Sequence, residues 1–251
     1  MILIRFIFRL PAFLITVFII LPIIIILILT TQKINNRKWN KKVVNNWSKI
    51  LCRVCGIKIQ SKGLKQGNPV LIVANHISWL DIPIIHSQKL LGFIAKSEIG
   101  NWPMFGILIK SGEVVLIKRG KHESRKKVLE LMQQRLRQNR SIGVFPEGKA
   151  TNGDKLGHFH RQLMQAAIET QVPIQAVAIK FIHADGTRNK DIGFRPHEKF
   201  IPNILRILTL PGCTAELNFC EPLDTKNITA REAAIKTQHQ VAEKLAENDY
   251  M

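Results

Sequence analysis

The stretch Pro69-Val70-Leu71-Ile72-Val73-Ala74-Asn75-His76-Ile77-Ser78-Trp79-Leu80-Asp81 decides how the rest of this chain is read. Its first six residues are apolar without interruption and too few for a helix, which predicts a buried strand. Its polar residues arrive together where that strand ends. Short apolar runs of the same kind recur at 92–95, 114–117, 142–145, 174–179 and 215–219. Helical patterns lie between some of them. The clearest covers 122–139, with Val128, Leu129, Met132 and Leu136 on one face; 161–170 is another, and 230–248 reads as a closing helix. Strands alternating with helices predict an α/β fold, a central, largely parallel sheet flanked by helices. In such sheets the reactive groups collect beyond the strand ends, where the chain turns into loops.

The end of the quoted stretch carries the chemistry. Histidine titrates near neutrality and suits a base that takes a proton from a hydroxyl. A carboxylate on its other ring nitrogen fixes the tautomer and stabilises the imidazolium. His76 and Asp81 fill these parts if a turn brings them together; alone, the pair reads equally well as a structural or capping histidine.

The N-terminal region follows another pattern. No charged residue occurs from Leu10 to Gln32, a longer run than the ~20 residues that cross a hydrocarbon core. It is too long for the apolar part of a signal peptide, and no small-x-small cleavage site follows. Pro11 and Pro22 predict bends, so a full crossing and a dip into one leaflet both fit. Arg5 and Arg9 precede the run and Lys33, Arg37 and Lys38 follow it, which suits both ends on the cytoplasmic side. Next, Trp39, Val43, Trp47, Ile50, Leu51 and Val54 recur at helical spacing opposite Lys41, Lys42, Asn45, Asn46, Lys49 and Arg53. That amphipathic helix fits a headgroup region, with an ordinary core-facing helix as the alternative. Residues 1–60 are thus expected to form a membrane-associated helical pair, and 61–251 the α/β domain.

The formal charge of +19, from 37 basic and 18 acidic residues, implies an anionic partner. An anionic bilayer surface or an acidic carrier protein fits. Nucleic acid does not, because no zinc-finger, helix-turn-helix or RNA-platform pattern is present. Cys52-x-x-Cys55 has no second pair and no histidines at finger spacing, so it predicts free buried or membrane-facing thiols and no metal site.

Three further blocks follow the first. Lys96-Ser97-Glu98 leads through Gly112-Glu113 to Lys118-Arg119; then come Phe145-Pro146-Glu147-Gly148 and Val172-Pro173-Ile174-Gln175-Ala176-Val177. An arginine at a strand end is a natural phosphate clamp, since its planar fork matches phosphate oxygens. In this order and spacing the four blocks, over 69–179, resemble the 1-acylglycerol-3-phosphate acyltransferase family, the lysophosphatidic acid acyltransferases and their relatives. That family has Asn-His-x-x-x-x-Asp, a Lys-x-Glu-Leu block leading to Gly…Arg, Phe-Pro-Glu-Gly, and Val-Pro-x-x-Pro-Val.

The resemblance implies a membrane enzyme that moves an acyl group from acyl-CoA or an acyl carrier protein to the free hydroxyl of a lysophospholipid acceptor. It implies no bound cofactor. His76 is then the base and Asp81 its support. Arg119 holds the acceptor phosphate with Lys96 beside it, and Phe145, Pro146, Glu147 and Gly148 shape the acceptor site. The family often continues with Thr-Arg-Ser, where this chain has Lys149-Ala150-Thr151, and it has Pro where this chain has Ala176. Lys149 restores charge but does not grip phosphate as an arginine does. Lysophosphatidic acid is the acceptor the resemblance puts first; a lyso-aminolipid, another lysophospholipid or glycerol-3-phosphate is the alternative.

Overall fold

The computed structural model describes residues 1–32, 37–96, 114–117, 122–151, 153 and 155–246. In chain order the elements are α1 (Ile2–Ile15), a π-helical turn (Thr16–Ile20), α2 (Leu21–Gln32), α3 (Arg37–Val54), β1 (Ile57–Lys62), β2 (Leu71–Ala74), α4 (Asp81–His86), β3 (Gly92–Lys96) and β4 (Val114–Ile117). There follow α5 (His122–Arg137), β5 (Ile142–Val144), a 3₁₀ turn (Arg161–Leu163), α6 (Gln165–Thr170), β6 (Ile174–Ile182), α7 (Phe200–Thr209), β7 (Cys213–Phe219) and α8 (Ala230–Ala246).

The strands form one sheet in the order β1-β7-β6-β2-β5-β3-β4. The five from β6 to β4 run parallel, whereas β7 is antiparallel to β6 and pairs parallel with β1. Strand β2 lies at the middle, and its alternation fills both layers. Leu71 and Val73 point into one apolar cluster, beneath α5, α6 and α8; Ile72 and Ala74 point into the other, beneath α4, α7 and the N-terminal helices. An uninterrupted apolar run is what a strand covered on both sides requires. The amphipathic stripe of α5 lands as expected, with Val128, Met132 and Leu136 buried.

Strand β1 falls across the 60/61 boundary expected from sequence and is part of the sheet. Only Ile57 is buried, and four of its six residues are exposed, so its alternation is too short to read. The helix before it is likewise tied to the core. Leu51, Cys52 and the following Cys55 are buried in the cluster beside β1, while Ile50 is exposed. This half of α3 faces the core, as the alternative reading of its pattern had it.

Within the helical stretch that runs from α1 through α2, the 27 residues Ile2–Ile28 are long and apolar enough to cross a membrane by length and composition. The π turn precedes Pro22, which has no N–H to donate and whose ring would clash with a regular turn. The Trp47 indole N–H of α3 donates to the Thr16 carbonyl within that turn at 3.1 Å. Phe13 is buried against the domain, and Arg9 donates from Nη1 to the Leu210 carbonyl at 2.8 Å, just beyond α7. Ile4, Ile7, Phe8, Ile19, Ile23 and Ile26 are exposed.

Candidate active site

The site begins with the way β2 stops. Asn75 continues the ladder with its side chain: Nδ2 donates to the Ile179 carbonyl and Oδ1 accepts from the Ile179 N–H, both at 2.8 Å. The amide thus takes the place of a further peptide pair with β6 and frees the backbone to turn. Beyond it, Asp81 opens α4 and folds its carboxylate back. Oδ2 accepts from the N–H groups of Ile77 (2.7 Å) and Ser78 (2.9 Å) and lies 2.8 Å from His76 Nδ1. The turn therefore does bring His76 and Asp81 together. An ionised carboxylate only accepts, so Nδ1 carries the proton and the lone pair sits on Nε2. The Asp81 side chain is fully buried, while that of His76 keeps 20% exposure.

The Phe145-Pro146-Glu147-Gly148 block follows the neighbouring strand β5 and meets the same loop. It is a tight turn: the Gly148 N–H donates to the Phe145 carbonyl, and Gly148 adopts φ +74°, which a side chain would strain. The Phe145 ring stacks on the His76 imidazole, with centroids 4.1 Å apart and planes 14° apart. Glu147 is buried, and both its oxygens are engaged. Oε1 accepts from the His76 N–H at 2.7 Å and Oε2 from the Gly157 N–H at 2.8 Å. Burial raises its pKa, against the lowering effect of those two bonds. A Cβ on Gly157 would stand 2.7 Å from Oε2, so a glycine is needed for that approach.

Sequence reasoning missed one participant. The Thr151 N–H donates to the His76 carbonyl at 2.8 Å, and its hydroxyl reaches the same oxygen at 3.2 Å. His76 is thus held at its N–H by Glu147, at its carbonyl by Thr151 and at its ring by Asp81. A threonine in a polar loop carries no sequence signal for such a task, beyond its place four residues after Glu147.

His76, Asp81, Phe145, Pro146, Glu147, Gly148 and Lys149 therefore gather where β2 and β5 end. Lys149 is exposed, as are Lys155, His158, His160 and Arg161 on the loop that follows. The backbone of Lys96 ends β3, beside β5; its side chain and the whole of Arg119 lie outside the described residues. Trp79, within the His76–Asp81 loop, joins the site to the N-terminal helix. Its ring meets Phe13 at 6.2 Å and Phe200 at 5.9 Å, and its N–H donates to Asn203 Oδ1 at 3.1 Å. Among the described residues, no three of His, Cys, Asp and Glu cluster as metal ligands would. The cysteines are free and buried, and burial pushes the Cys55 thiol up to about 12.

A buried carboxylate on one imidazole nitrogen and an open lone pair on the other can take a proton from a hydroxyl. Similarity to known proteins places the chain in a family. A family model described as acyltransferase matches residues 56–180. A lyso-ornithine lipid O-acyltransferase of Pseudomonas aeruginosa is 31% identical over 195 residues, 78% of this chain and 75% of that protein. A 1-acyl-sn-glycerol-3-phosphate acyltransferase of Neisseria gonorrhoeae is 28% identical over 170 residues, 65% of this chain and 64% of that protein. The crystal structure of the 1-acyl-sn-glycerophosphate acyltransferase of Thermotoga maritima has the same fold: TM-score 0.76 and 21% identity, over 99% of this chain and 96% of that one. This chain belongs to the acyltransferase family of the lysophosphatidic acid acyltransferases and their relatives, and is an O-acyltransferase of that type.

Proposed function

We propose that this chain transfers a fatty acyl group from acyl-CoA or an acyl carrier protein to the free hydroxyl of a lysolipid, with His76 as general base. The observation that carries this reading is the bond between His76 Nδ1 and the buried Asp81 carboxylate, which leaves Nε2 as the basic nitrogen. Nε2 takes the hydroxyl proton as the oxygen attacks the thioester carbon. The C–O bond forms, the C–S bond breaks, and the proton passes from the imidazolium to the departing thiolate. Holding both reactants at the site supplies much of the acceleration. The N–H groups of His76, Ile77 and Ser78 are all committed to carboxylates, so stabilising the oxyanion falls to other donors. Glu147, with both oxygens engaged, positions the His76 backbone; Phe145, Pro146, Gly148 and Lys149 border the acceptor, with Arg119 and Lys96 as its cationic partners.

The acceptor we favour is a lyso-ornithine lipid. Relatives so named include proteins of Pseudomonas aeruginosa and Brucella abortus, the latter 28% identical over 214 residues. The substitution of Lys149-Ala150 for Thr-Arg supports it too, because an amino-acid headgroup presents a carboxylate and an ammonium in place of a phosphate. Lysophosphatidic acid, the acceptor put first by sequence, is the second reading, supported by the Neisseria relative and by the exposed cations after Gly148. Residues 1–60 seat the catalytic residues on the cytoplasmic face of an anionic bilayer. This reading rests on the apolar N-terminal helix and the charge of +19.

The test is competition between acceptors: the detergent-purified protein, a labelled acyl thioester, and equimolar lyso-ornithine lipid and lysophosphatidic acid. Label in the ornithine lipid at ten times the rate or more is expected. Preferential labelling of phosphatidic acid would overturn the acceptor assignment.

A further inference from the structure

Four aromatic rings stand in a row that begins with the candidate base. His76 lies on Phe145, with centroids 4.1 Å and planes 14° apart. Phe145 lies on Phe93 at 5.5 Å and 13°, and Phe93 tilts against His86 at 5.1 Å and 36°. The column is built with little slack. A Cβ on Gly143, the residue paired with Phe93 across β3 and β5, would come within 2.6 Å of the Phe93 ring.

We propose that Phe145 is a positioning residue whose ring face stabilises the imidazolium formed when His76 takes the acceptor's proton. An aromatic face carries negative electrostatic potential and attracts a cation within about 6 Å of its centroid. The attraction is weak for neutral imidazole and stronger for the charged ring, so it favours the proton-transfer transition state over the ground state. Asp81 works on the edge of the imidazole and Phe145 on its face. Phe93 packs parallel to Phe145 at 5.5 Å and helps to hold that ring in place. At the far end desolvation pushes His86 down to about 4, so it brings no competing cation to the column. This role differs from the shaping of the acceptor site that the family resemblance implies for Phe145, and it rests on the reading of His76 as the base.

The experiment replaces Phe145 in the full-length protein by mono-, di- and trifluorophenylalanine. Fluorine drains negative potential from the ring face while leaving its volume nearly unchanged. Phe145→Leu and His76→Ala run alongside. The expected result is a stepwise fall in kcat with each added fluorine, about three- to thirty-fold in total, with the acceptor KM constant within about two-fold. A flat kcat across the series overturns the proposal, whatever Phe145→Leu does, because packing alone is insensitive to the ring's charge distribution. A rise in KM at constant kcat overturns it as well, by leaving Phe145 no role beyond bordering the acceptor. Full transfer by His76→Ala would sink the reading of His76 and this proposal with it. An inactive His76→Ala beside a flat fluorine series would sink the stacking role alone.

Discussion

One histidine precedes α4 and another ends it, and their partners differ. His76, five residues before the helix, has a carboxylate on Nδ1, a partly exposed ring and a loop that fixes its backbone at both the N–H and the carbonyl. His86, the last residue of the helix, is partly buried like His76, but its Nε2 meets the Leu91 carbonyl at 3.1 Å in place of a carboxylate. Desolvation favours the neutral form of His86, and no carboxylate among the described residues pairs with it. In the proposed reading His76 is the base because it has a paired carboxylate, which His86 lacks.

The largest effect expected is on that contrast itself. His76→Ala lowers kcat about a thousand-fold in a steady-state transfer assay, while His86→Gln leaves it within about three-fold. Equal losses would erase the distinction. Asp81→Asn comes next. Oδ2 alone makes all three contacts, so the amide oxygen keeps the Ile77 and Ser78 N–H groups and the His76 Nδ1–H, and what is lost is the negative charge that stabilises the imidazolium. A loss of about a hundred-fold or more in kcat is expected, read in the same assay. Glu147→Gln places an NH₂ against either the His76 or the Gly157 N–H. It should cost about 1–3 kcal/mol of stability in thermal melts and roughly ten-fold in kcat.

At the other end of α4 the prediction concerns pH. His86 has a folded pKa of about 4 against an ordinary value of 6.5. The unfolded chain therefore binds the proton first, and this residue's contribution to stability falls as pH drops from about 6.5 to about 4. Melting temperatures over that window should decline more steeply for the parent than for His86→Gln. The smallest effect belongs to the other chemically suggestive motif. Cys55→Ala should cost about 1 kcal/mol and leave kcat within about two-fold, because the thiol is packed in the core beside β1.

These contrasts also mark what could be read in advance. The strands from β2 to β7 and the meeting of His76 with Asp81 follow from local signals: an apolar run, its abrupt end, and a spacing that one turn closes. Strand β1 gave no such signal, since an edge strand exposes most of its residues and leaves only Ile57 and Ile59 to alternate. Helix α7 was not anticipated either; its apolar residues follow a long polar loop, and its burial depends on α1, far away in the chain. The hold of Glu147 and Thr151 on the His76 backbone was invisible for another reason. Sequence names a side chain's chemistry, but only the fold shows that both Glu147 oxygens are already taken by N–H groups.

The central claim is that the open nitrogen of His76 accepts the acceptor's proton. It is tested most directly by acyl transfer in His76→Gly with and without added imidazole, in protein shown to be folded by its thermal melt. The account predicts a nearly inactive variant whose rate rises with the concentration of neutral imidazole. A variant that transfers acyl groups at the parent rate without imidazole would contradict it.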